Sequence, residues 1–150
     1  MSSALTKLQL DTINRWLERA ERRLAGAAAA AKRPHPSEGE FDNNFDGVVT
    51  AIFHTVDAFE LARTHVHRRM GDGEEAVMIR SVVLALMRDH IAGVPSPERL
   101  INLNYRRNTS VHGSEWAEVL DPEALEEAIT AARGLLIAVK LWLTRQGIRF

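Results

Sequence analysis

The chain has 150 residues, 45% apolar and 26% charged, the balance of an ordinary globular protein long enough to bury a core. A formal net charge of −1 excludes a global positive field, so any nucleic-acid contact has to come from a local patch or from one assembled between subunits. The absence of cysteine excludes disulfides and thiolate metal sites and fits a reducing compartment.

No segment shows sustained period-two alternation, whereas five show helical spacing. The first helix is expected from about Leu5 to Ala31, with Leu5, Leu8, Ile13, Trp16, Leu17 and Leu24 as its apolar stripe. Its alanine-rich tail, Ala25 to Ala31, propagates a helix but offers little to bury, so it is expected to project or fray. Residues 32–40 contain Pro34, Pro36 and Gly39 and read as a flexible linker. A second helix is expected from Phe41 or Phe45 to Met70, with Phe45, Val49, Ile52, Phe53, Val56 and Phe59 giving the strongest core face. Gly71-Asp72-Gly73 ends it, and Asp72 with Glu75 has the spacing of a capping box that opens a third helix. That helix carries Val77, Met78, Val82, Leu86 and Ile91 and is expected to stop at Gly93. Ser96-Pro97-Glu98 supplies an N-cap, a first-turn proline and a first-turn acid for a fourth helix running to His112. Asp121-Pro122-Glu123 repeats that start for a fifth, striped by Leu125, Ile129, Ala132, Leu136, Val139 and Leu143.

Short connections between amphipathic helices predict an all-α fold, an antiparallel bundle of four to five helices in a single domain spanning 1–150. The N-terminus lacks the pattern of a signal peptide, and the longest apolar stretch, Leu135 to Leu143, contains Lys140 and is too short to span a bilayer. A soluble, cytoplasmic protein is the expectation.

One segment looks built for chemistry: Asn104-Tyr105-Arg106-Arg107-Asn108-Thr109-Ser110-Val111-His112-Gly113. On a regular helix Asn104, Asn108 and His112 share a face, while positions 107 and 112 are about 140° apart around the axis. Unwinding near Gly113 or the reach of an arginine would bring the two groups together. The negative end of the helix dipole favours an imidazolium at His112, which makes a proton donor or acceptor near neutrality. A guanidinium beside it can clamp a phosphate with two parallel hydrogen bonds. Asn108 can orient either group. Those are the parts needed to drive a ribose 2′-hydroxyl onto its own phosphodiester without a metal.

The run Arg107-Asn108-Thr109-Ser110-Val111-His112, followed by Gly113, resembles the motif of the HEPN superfamily of small all-α domains, with Arg106 as an alternative reading of its arginine. In active members two motifs meet across a dimer to form a composite ribonuclease cleft, and many are toxins held in check by a partner, often a small nucleotidyltransferase. The resemblance therefore implies a metal-independent, toxin-like endoribonuclease that leaves a cyclic phosphate, with a nucleotidyltransferase-type or other antitoxin as partner. It implies no cofactor and no metal. Arg107, Asn108 and His112 are the expected catalytic residues, with Arg106 and Asn104 as substrate-binding residues at the cleft edge. Some toxins of this kind carry a tyrosine two positions after the histidine as a target for nucleotide addition; Ser114 stands there in this chain. The rival expectation is a catalytically silent HEPN module that binds a nucleotide or partner in a toxin–antitoxin or defence system.

The second histidine-bearing run, Arg63-Thr64-His65-Val66-His67-Arg68-Arg69, reads as the solvated basic end of the second helix. Two histidines two residues apart on a helix do not chelate a metal. His54 and His90 are expected inside helices as partly buried, satisfied histidines. His35 sits in the proline linker.

Overall fold

The computed structural model describes the backbone of residues 5–32, 38–67, 73–112 and 122–148; the side chains of 38–42, 105–112 and 122 lie outside the described set. Among the described residues five helices follow one another: α1 (Lys7–Ala31), α2 (Glu38–Thr64), α3 (Glu75–Arg88), α4 (Pro97–His112) and α5 (Pro122–Arg145). No strand occurs among the described residues, so the fold is an all-α bundle.

The local causes are visible at the helix starts. Thr6 caps α1: its hydroxyl accepts from the Gln9 amide at 3.1 Å, and the Gln9 side chain accepts in return from the Thr6 amide at 2.9 Å. Ser96 accepts from the Arg99 amide at 3.3 Å, with Pro97 as the first helical residue of α4. Asp121, the expected cap of α5, is outside the described residues, but the helix starts at Pro122 as its Pro-Glu signal requires.

α1 packs most extensively on α2, and α5 touches all four other helices. α3 and α4 pack together against α2 and α5, and among the described residues α1 contacts neither of them. Gln9 ties the antiparallel pair α1/α2 at one end: its Nε2 donates to the His65 carbonyl at 2.9 Å. The core runs through Ile13, Leu17, Leu24, Ile52, Val56, Phe59, Leu86, Leu100, Leu135 and Leu143, all almost fully buried. Phe59 meets Trp142 edge-on at 4.7 Å, and the Trp142 indole N–H donates to Asp89 Oδ2 at 2.7 Å.

Several expectations are corrected. The alanine-rich tail of α1 does not project: the helix continues to Ala31, and Ala27 (2% exposed) belongs to the core cluster. A methyl group suffices where helices approach closely. α2 begins at Glu38, inside the expected linker, and ends at Thr64 rather than Met70. His65 takes a left-handed conformation, φ +62°, and turns the chain out of the helix. His65 and His67 are therefore not helical. The N-cap of α3 is Glu74, whose side chain makes no capping hydrogen bond. The expected capping box rests on Asp72, which lies outside the described residues. α3 stops at Arg88, so Ile91 is buried from the following turn and His90, at φ +59°, is an exposed turn residue. Val77 (68% exposed) and Leu8 (72% exposed) face outward, because the core-facing stripe of each helix is narrower than its apolar pattern. His35 and Phe41 fall outside the described residues.

Candidate functional site

α4 carries the expected site. It is helical through His112, so the backbone does not unwind between Arg107 and His112. Their positions are then about 140° apart around one axis at roughly 100° per residue. The side chains of Arg106, Arg107, Asn108 and His112 lie outside the described residues, as does Gly113. Asn104, one turn before Asn108, is 8% exposed, and its Oδ1 accepts no hydrogen bond from the described residues. A buried acceptor without a donor costs free energy on the order of 1–3 kcal/mol. The neighbouring Leu100 and Leu103 are buried and anchor this helix to the bundle.

Two other clusters stand apart from that helix. At the end of α2, a cleft of about 250 Å³ is lined by Asp57, Glu60, Thr64, Val66, His67 and Met78. Burial raises the Asp57 pKa, the charge of His67 opposes that shift, and Glu60 adds to it. His67 packs on Trp16 with ring centroids 5.0 Å apart. The run read as a solvated basic helix end thus supplies one packed histidine, while Arg68 and Arg69 are outside the described residues. Glu60 is held by Arg63 at 2.8 Å.

The other cluster lies between α1 and α2. His54, half-buried on α2, has its pKa lowered by burial first, then by the positive charges of Arg23 and Arg19 on α1. Sequence spacing alone does not reveal this group, because its members come from two helices and only the α1/α2 register brings them together. The i, i+4 repeat of Arg19 and Arg23 was the available signal. Among the described residues, no group of three or more histidine or acidic side chains is placed to hold a metal ion, and no helix is long and apolar enough to cross a membrane.

No family model matches the chain, no curated protein matches it in sequence, and no solved structure matches its fold. What the fold defines is a class, an all-α bundle.

Proposed function

We propose that the protein is a HEPN-type, metal-independent endoribonuclease, toxin-like, which cuts RNA through a composite site shared by two copies of the chain. The observation that carries this reading is the placement of Arg106, Arg107, Asn108 and His112 in the last turns of one helix, with His112 as its final residue.

Chemically, one His112 takes the proton from a ribose 2′-hydroxyl. The 2′-oxygen bonds to phosphorus as the bond to the 5′-oxygen breaks, and a second acid protonates that leaving oxygen. The products are a 2′,3′-cyclic phosphate and a 5′-hydroxyl. One chain offers one histidine here, so the acid comes from the His112 of a second copy across a two-fold axis. The angular separation of positions 107 and 112 favours the same arrangement: a phosphate gripped by Arg107 of one copy is reached by His112 of the other. Arg107 clamps the scissile phosphate, Asn108 orients it, and Arg106 extends the grip. The unpartnered Asn104 oxygen stands ready for a donor that arrives with the second copy or the strand. Such a protein works in the cytoplasm, and an antitoxin of nucleotidyltransferase or other type restrains it.

The test is incubation of single-stranded RNA with the purified protein in EDTA. Cleavage is expected from the native chain and its loss from His112→Ala, with helical content unchanged. Cleavage that survives this substitution removes His112 from the mechanism. Saturable nucleotide binding without turnover would instead favour the silent module.

A further inference from the structure

The turn that follows α2 forms part of the cleft at that end of the bundle. Thr64 ends the helix, His65 reverses the chain at φ +62°, and Val66 and His67 follow as lining residues. The turn is pinned from both sides. The Thr64 hydroxyl donates to the Glu60 carbonyl at 2.7 Å, and its oxygen accepts from the Val66 amide at 3.3 Å. From α1, Gln9 Nε2 donates to the His65 carbonyl at 2.9 Å, and Trp16 packs on His67 with ring centroids 5.0 Å apart. A wall held this way needs little ordering when a ligand arrives. Asp57 and Glu60 of α2 and Met78 of α3 complete the lining around about 250 Å³. That volume lies below the roughly 300–1,000 Å³ typical of pockets for drug-sized molecules, so a small ligand suits it.

The lining selects the chemistry of that ligand. Asp57 is half-buried and makes no hydrogen bond or ion pair among the described residues. Glu60, one turn further along α2, is engaged by Arg63 at 2.8 Å. Burial is the largest influence on the Asp57 carboxyl; the charge of His67 works against it and that of Glu60 works with it. A carboxylate withdrawn from water without a partner costs free energy, and a cation set against it returns that cost. An anion would instead meet two carboxylates. A metal ion is a poor match too, because no three histidine or acidic side chains among the described residues are placed to hold one. Val66 and Met78 offer apolar surface, which a hydrated ion does not use and a hydrocarbon chain does.

We infer that this cleft binds an alkylammonium group, with the nitrogen against the Asp57 carboxylate and the hydrocarbon chain along Val66 and Met78. Glu60 adds a weaker second attraction, since Arg63 already holds it. A free polyamine and the lysine side chain of a protein partner present this same chemistry. None of the lining residues lies on α4, so the site does not rest on the proposed ribonuclease.

The test follows the Met78 methyl and His67 ring resonances of the full chain by NMR during titration at pH 8, where an alkylamine is still charged and an ordinary imidazole is neutral. The probes are n-butylammonium, its neutral counterpart n-butanol, spermidine and Nα-acetyl-lysine amide. The expected result is a saturable shift of both resonances with n-butylammonium and none with n-butanol at the same concentrations. Asp57→Asn should weaken n-butylammonium binding about tenfold or more, and Glu60→Gln about threefold. Tighter binding of spermidine assigns the site to a free polyamine, and tighter binding of the lysine amide to a protein side chain; either keeps the site. No saturable shift with any amine, an equal shift with n-butanol, or equal affinity in an Asp57→Asn chain with a native circular dichroism spectrum overturns it. The butanol comparison needs no variant, so it decides the matter even if Asp57→Asn fails to fold. RNA cleavage is measured separately, and its absence leaves these titrations unaffected.

Discussion

Asp57 sits where burial outweighs the attraction of His67, and its carboxyl holds a proton above the ordinary value of 3.8. The folded chain thus binds that proton more tightly than the unfolded chain does. Its contribution is most favourable below the ordinary aspartate range and is lost as pH rises through the folded value. Asp57→Asn is therefore expected to raise the thermal midpoint at neutral pH. The gain should shrink toward pH 4 and below, as read from melting curves across that window. Trp142 makes the complementary case, a polar atom that is well satisfied. Trp142→Phe keeps the ring against Phe59 but removes the bond to Asp89. Asp89 is exposed and water can replace the lost donor, so the expected cost in urea unfolding is about 1–2 kcal/mol.

At the scale of helices, two glycines separate propensity from packing. Gly26, on the exposed side of α1, has open space where a Cβ would stand. Gly26→Ala should therefore stabilise by up to about 1 kcal/mol. In α5 a Cβ at Gly134 would lie 3.1 Å from Pro95 Cγ and 3.6 Å from the Gly93 oxygen. Gly134→Ala should gain nothing, since the turn before α4 packs against that spot; denaturant midpoints of the two variants decide it. The starts of α4 and α5 and the stripe of α5 were legible in the sequence because Ser-Pro-Glu and Pro-Glu signals act locally. The end of α2 was not. A left-handed His65, stabilised by the long-range bond from Gln9, overrides a run that otherwise continues the helical pattern. The packing of Ala27 was equally hidden, since nothing in an alanine run says how close a neighbouring helix will come. For the proposed site, the expected end of the fourth helix at His112 was legible, because the Ser-Pro-Glu start and the following Gly113 act locally. The sequence could not show that Arg23 and Arg19 bear on His54, because they lie on different helices.

For the molecule as a whole, the proposed cleavage requires two copies to contribute to one cleft at the ends of their α4 helices. Each chain brings a single histidine in that motif, while in-line cleavage wants a base and an acid. A fixed amount of native chain, refolded together with increasing His112→Ala chain, tests this most directly by its rate of RNA cleavage in EDTA. Pairing with a defective copy should drive the rate per native chain toward zero as the variant comes into excess. A rate per native chain that stays constant whatever the excess of variant, or native chain that cuts no RNA at all, would contradict the shared site.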